Sequence, residues 1–174
     1  MTSTNLESQT FSARPSLVHG AASRIDELRR PTITVIPWPD PVVEELGHDP
    51  RSWYVERFWL PVLGPSTVLL LRLLNDELDD HPDGTELEAV EVAGALGLSW
   101  HENVGKNSPF VRTLLRSCQF GFTRICGEGT LAVRRAVPDL PRRHLRRLPT
   151  GLQKMHAEWM RRRLSSEPPD PAAA

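Results

Sequence analysis

The stretch Lys106-Asn-Ser-Pro-Phe-Val-Arg-Thr-Leu-Leu-Arg-Ser-Cys-Gln-Phe-Gly121, continuing Phe122-Thr-Arg-Ile-Cys-Gly-Glu-Gly-Thr130-Leu-Ala-Val-Arg-Arg-Ala-Val137, reads as a basic helix running into a short, equally basic β-hairpin. Ser108 is a preferred N-cap, and proline at the next position costs nothing because the first N–H of a helix has no intrahelical acceptor. Phe110, Val111, Leu114, Leu115 and Cys118 recur with helical spacing as a stripe to bury, while Arg112, Arg116 and Gln119 recur on the other side. After Gly121, residues 122–126 and 130–137 are β-branched and aromatic around a turn at 127–129, the pattern of two paired strands closed by Pro138.

Charge sets this stretch apart from what precedes it. Residues 1–104 hold 7 Lys/Arg against 17 Asp/Glu, a net of −10, and residues 105–174 hold 14 against 5, a net of +9. Such a split points to a polyanion or an acidic protein surface as partner, or to neutralisation of one half by the other within the fold. With 174 residues and 39% hydrophobic content, the chain suits one domain with tails. Residues 1–30 and 165–174 have the composition of disordered tails, which leaves 31–164 as the folded unit.

Residues 31–37, β-branched and bounded by prolines, predict a short strand or extended arm on a sheet edge. A short helix after Asp49-Pro50 carries Trp53, Tyr54, Phe58 and Trp59 into an aromatic cluster. Residues 67–78 form an apolar helix closed by His81-Pro-Asp-Gly84. A further helix starts at Thr85 with Glu88 as its capping-box partner and runs to Gly97. Residues 142–147 make a brief basic turn of helix. The last helix spans about 152–164, with Leu152, Met155, Trp159 and Met160 on one side, either to cap its own core or to form a homodimer.

The element order is helix, helix, helix, hairpin, and here the chain resembles the winged helix-turn-helix superfamily of DNA-binding proteins over residues 66–138. Val92-Ala-Gly-Ala-Leu-Gly-Leu-Ser99 resembles the second helix and turn of bacterial regulators. Residues 110–121 resemble the recognition helix and the glycine that ends it, and residues 122–137 the wing. Phe58-Trp-Leu-Pro-Val-Leu-Gly-Pro-Ser66 also resembles the opening of the winged-helix domains in DnaD/DnaB-type replication proteins. One departure is the ten-residue link 98–107, where a strict helix-turn-helix uses three or four; it leaves the angle between the two helices open.

The resemblance implies a mainly α fold with a small β component and a winged helix-turn-helix core, flanked by an N-terminal aromatic helix and a C-terminal amphipathic helix. It implies Arg112 and Arg116 in a major groove of double-stranded DNA, with Thr113 and Gln119 as base readers beside them. Lys106, Asn107 and Ser108 would hold a phosphate at the helix start. Arg124, Arg134 and Arg135 belong to the wing, where strand alternation lets only two of the three reach one backbone. Arg142 and Arg143, with Arg146 and Arg147, add a cationic patch or form a solvated face. The function implied is a transcriptional regulator in the cytoplasm. The alternative is an interaction module whose basic face binds an acidic protein, anchored by Trp53, Trp59 and Trp159.

Nothing in the sequence reads as an enzyme or calls for a cofactor. The histidines at 19, 48, 81, 101, 144 and 156 are scattered, and no phosphate-binding glycine loop or nucleophile elbow appears. Cys118 and Cys126 lack zinc spacing. The acidic run Asp76, Glu77, Asp79, Asp80 lacks the alternation of a calcium loop and reads as a solvated helix end. No apolar run is long enough to span a bilayer, and the N-terminus has no secretory h-region.

Overall fold

The computed structural model describes residues 28–101, 107–127 and 129–166. In chain order they form β1 (Thr32–Pro37), α1 (Pro41–Leu46), a π-helical turn (Val55–Trp59) that continues into α2 (Leu60–Leu63), α3 (Pro65–Asp80), β2 (Thr85–Glu88), α4 (Ala89–Ala95), α5 (Pro109–Gln119), β3 (Thr123–Gly127), β4 (Thr130–Val133), α6 (Arg142–Leu145) and α7 (Thr150–Ser166). The fold is mainly helical with one small mixed sheet, as expected.

The centre of the molecule is α3. Gly64 and Pro65 start it, and its apolar positions divide into two stripes. Leu70, Leu74 and Leu78, four residues apart, enter a core with Ile33, Val35, Phe110, Leu114, Leu131 and Val133. Val68 and Leu71 enter a second core with Tyr54, Phe58, Trp59, Phe122 and Leu148. One helix thus joins the sheet and α5 on one side to the aromatic turn and the C-terminal segment on the other. Removing a buried leucine such as Leu71 or Leu74 would cost about 2–5 kcal/mol. Asn75, buried at the boundary, donates through Nδ2 to Leu71 O (2.9 Å) and Arg134 O (3.3 Å), tying α3 to the chain leaving β4.

The sheet runs β2-β1-β4-β3, with β1 antiparallel to β2 and parallel to β4, and β3 antiparallel to β4. The edge position expected for residues 31–37 is therefore corrected: β1 is paired on both sides. Its flanking prolines are tolerated because they stand at its ends. Pro31 contributes only its carbonyl, to Ala89 N–H at 2.6 Å, and the first N–H beyond Pro37, that of Trp38, reaches Val133 O at 2.7 Å.

The helix expected from Thr85 is also corrected, since residues 85–88 are β2. Thr85 and Leu87 are half-buried while Glu86 and Glu88 are exposed, a period of two, and Ile33 and Val35 of β1 stand opposite Leu87 and Thr85. The apparent capping box is not one, because the helix starts at Ala89 with Glu88 itself at the N-cap, extended and without a side-chain cap. Gly84 permits the tight turn into β2 with φ of 111°; a Cβ there would lie 2.6 Å from Val35 O.

At the termini, Leu28 is buried in the first core, so the expected N-terminal tail of 1–30 ends earlier than its composition suggested. Residues 1–27 lie outside the described residues, as do 167–174. Leu152, Met155 and Trp159 of α7 pack against the second core, and His156 between them is buried. The second hairpin strand is shorter than expected. It ends at Val133, and Val137 instead bridges to His48. Among the described residues no helix is long and apolar enough to cross a membrane.

Candidate nucleic-acid interface

Helix α5 is built as its periodicity requires: Phe110, Val111 and Leu114 are buried, and Arg112, Arg116 and Gln119 are exposed on the opposite side. Two members of the expected site change role. Thr113 is a buried residue whose hydroxyl donates to Pro109 O at 2.8 Å, so it is no base reader: its position one step from Arg112 turns it inward. Ser108 is the N-cap by backbone conformation only. Its Oγ makes no cap bond and is buried without a hydrogen-bond partner among the described residues. Asn107 is exposed in the turn before α5, and Lys106 lies outside the described residues.

The two α5 arginines differ. The Arg112 side chain makes no hydrogen bond or ion pair among the described residues, whereas Arg116 donates through Nη2 to Val62 O and lies 5.4 Å from the centre of the Phe120 ring. With Gln119 they line one wall of an open groove of about 640 Å³, whose other wall is residues 61–67, the α2–α3 junction. Phe120 also meets His144 of α6, ring centres 5.3 Å apart, and Arg143 donates through Nε to His144 Nε2 at 3.0 Å. The exposed Arg142, Arg143, Arg146 and Arg147 therefore stand beside the C-terminal end of α5. Burial, then the charges of Arg143 and Arg147, hold His144 below its ordinary value of 6.5, as expected of a base in a positive field.

The hairpin arginines separate. Arg124, on the outer face of β3, and Arg134, just past β4, both approach the Trp38 ring, at 4.4 and 4.3 Å from its centre. Arg134 also pairs with Asp40 at 2.7 Å, which leaves Arg124 as the less committed charge. Arg135 leaves the expected site altogether. It donates to Asn75 O at 3.0 Å and pairs with Asp79 at the end of α3, from the bend that follows β4. There Arg51 also binds Asp76 (2.6 Å) and Asp79 (2.7 Å). The acidic run at the end of α3 is thus the anchor of two arginines, whose hydrogen bonds, Arg51 first and then Arg135, hold the Asp79 carboxyl below its ordinary value.

Sequence reasoning passed over Trp38, which organises two arginines, and Phe120, which joins α5 to α6. Trp38-Pro-Asp40 directly follows β1, and no local pattern there assigns it partners in the hairpin. Among the anchors of the acidic-partner alternative, Trp59 is buried with its indole N–H on Pro138 O (2.8 Å), Trp159 is half-buried against Tyr54, and Trp53 is 52% exposed. Among the described residues no cluster of three or more His, Cys, Asp or Glu side chains forms a metal site, and Cys118 and Cys126 are in no disulfide. Comparison with protein-family models, with curated proteins and with solved structures returns no match.

Proposed function

We propose that residues 66–138 form a winged helix-turn-helix unit and that the chain binds double-stranded DNA, acting as a transcriptional regulator through the exposed face of α5, the hairpin and α6. The order α3, β2, α4, α5, β3, β4 supports the architecture, with β2 as an added strand between the first two helices. The observation that carries the functional reading is the contact of Arg116 with Phe120 and of Phe120 with His144, which sets the exposed arginines of α5 beside those of α6. Two acidic side chains that meet this region from outside it are engaged in pairs, Asp40 with Arg134 and Asp139 with His48 and Arg163. A surface of this kind attracts phosphates by counterion release, each contact contributing a slope of about −0.9 in log K against log salt.

The test is a mobility-shift titration of random duplex across a salt series with the Arg112→Ala, Arg116→Ala double variant beside the unsubstituted chain. The reading expects weaker binding and a slope flatter by roughly two units. Equal affinity and slope for the two proteins would remove α5 from the interface. An acidic protein partner on the same face is the second reading, favoured by the exposed Trp53 beside Phe58. It expects no duplex affinity at moderate salt and loss of the partner in Trp53→Ala.

A further inference from the structure

Two guanidinium groups converge on the ring of Trp38, that of Arg124 at 4.4 Å from its centre and that of Arg134 at 4.3 Å. The ring stands on a stiff backbone. Pro37 and Pro39 flank it, each with its φ locked, and the Trp38 N–H donates to Val133 O at 2.7 Å, which carries the pairing of β1 with β4 one residue past the end of β1. Trp38 is half-buried, so it meets the hairpin as a fixed face.

The two arginines use that face differently. Arg134 is turned inward: its guanidinium pairs with Asp40 at 2.7 Å, and its Nε is buried with no hydrogen-bond partner among the described residues. Its backbone is held as well, the N–H on Phe122 O at 3.0 Å and the carbonyl by Asn75 Nδ2 at 3.3 Å. Arg124 is exposed, and its side chain makes no hydrogen bond or ion pair among the described residues, so the ring contact is what places it. A guanidinium over a ring face is held by the ring quadrupole, and its N–H groups stay available along its edge. One carboxylate, Asp40, serves the two cations, and the cluster keeps a positive charge on the Arg124 side.

We propose that Trp38 is a positioning residue of the duplex interface, holding the Arg124 guanidinium in place to donate to a phosphodiester oxygen of the DNA backbone. The inference rests on the DNA reading and adds to it a residue from outside the winged unit that acts through the hairpin. A long side chain loses rotamer freedom when it binds, and a side chain ordered beforehand loses less. Arg124 is ordered by a contact that leaves its donors open, and a phosphate oxygen is the acceptor it lacks in the free protein.

The experiment is a double-mutant cycle on the affinity of the full chain for random duplex, with Trp38→Leu, Arg124→Ala and the two together, across a salt series. Trp38→Leu binds about two- to fivefold more weakly, the scale on which an exposed ring holds a cation, while its salt slope is unchanged because every charge is still present. Added to Arg124→Ala it brings no further loss. Trp38→Phe, which keeps a ring face, recovers most of the affinity. In the ¹⁵N-labelled chain without substitutions the Arg124 Nε–Hε resonance shifts on adding duplex, a readout that needs no variant to fold. A loss from Trp38→Leu of the same size with and without Arg124→Ala overturns its action through Arg124 and leaves the DNA reading standing. Unchanged affinity in Trp38→Leu, or an Arg124 resonance that duplex does not move, does the same. A chain with no duplex affinity at any salt overturns the DNA reading and this role with it.

Discussion

Tyr54 and His156, 102 residues apart in sequence, meet through a buried hydrogen bond of 2.9 Å between the phenol oxygen and Nε2. The same phenol accepts Leu140 N–H at 2.8 Å, so one side chain of the aromatic turn holds both the segment after the hairpin and α7. Burial first, and then the Asp139 charge, pushes the Tyr54 hydroxyl up to about 12, against the opposing Leu140 hydrogen bond and Arg163 charge; it is therefore a neutral donor across the physiological range. Because Tyr54 also stacks on His48 at 3.7 Å between ring centres, the second core is closed by a network of rings and not by aliphatic contacts alone.

Replacing Tyr54 by Phe keeps the ring packing and removes only the oxygen. Leu140 N–H and His156 Nε2 are then left buried without a partner, at about 1–3 kcal/mol. The expected outcome is a fall of several degrees in melting temperature without a change in far-ultraviolet circular dichroism. An unchanged melting temperature would mean that the network contributes nothing to stability.

The histidines of this network set a pH dependence. Burial is the largest influence on His156 and on His48 and holds both below 6.5; Asp139 opposes it at each, through a 2.7 Å hydrogen bond as well as charge at His48, while Arg163 adds to the lowering at His48 and His48 to that at His156. A histidine with a lowered folded value binds its proton more readily in the unfolded chain. Its contribution is therefore whole above pH 6.5 and is lost as pH falls from there toward the folded value. Melting temperature should be level near pH 7.5 and decline by pH 5.5, above the range in which Asp49 and Asp79 titrate. His156→Gln should flatten that decline, and a variant whose profile parallels the original would assign the dependence to other groups.

Arg134 and Arg135 explain how much of the site could be read in advance. Both were legible as basic residues of a hairpin, and strand alternation already predicted that the three hairpin arginines would not act together. Which one departs was decided by partners far away in sequence, Asp40 for Arg134 and Asp79 for Arg135, and no local pattern carries that. Helix α5 was readable because its stripe, its Ser-Pro start and its closing glycine agree. Thr85-Glu-Leu-Glu88 was not, since it satisfies a capping box and a strand alternation equally; only the presence of β1 beside it selects the strand.

The parting of the hairpin arginines gives a paired prediction. Arg124→Ala should leave thermal stability near its original value and flatten the salt dependence of duplex binding by about one unit. Arg135→Ala should do the reverse, lowering the melting temperature by releasing Asn75 O and Asp79 while the slope stays put. If Arg135→Ala flattened the slope as much as Arg124→Ala, the division between a binding and a structural arginine would be wrong.

Gly84 and Gly64 both have positive φ, 111° and 81°, yet they constrain the fold differently. At Gly64 an added Cβ meets nothing within 4 Å, so Gly64→Ala costs only backbone strain, about 1–3 kcal/mol, because φ of 81° with ψ of 158° is a region that essentially only glycine occupies. At Gly84 the same atom would lie 2.6 Å from Val35 O, in the middle of the sheet, and Val35 is wholly buried. Gly84→Ala must therefore strain the turn and also push β1 away from β2, so its cost exceeds that of backbone strain alone. Urea denaturation of the two variants should give the lower midpoint for Gly84→Ala, with hydrogen exchange quickened at the Thr85 to Glu88 amides. Equal midpoints would show that β1 yields without cost, and would undercut the account of why residues 85–88 are a strand.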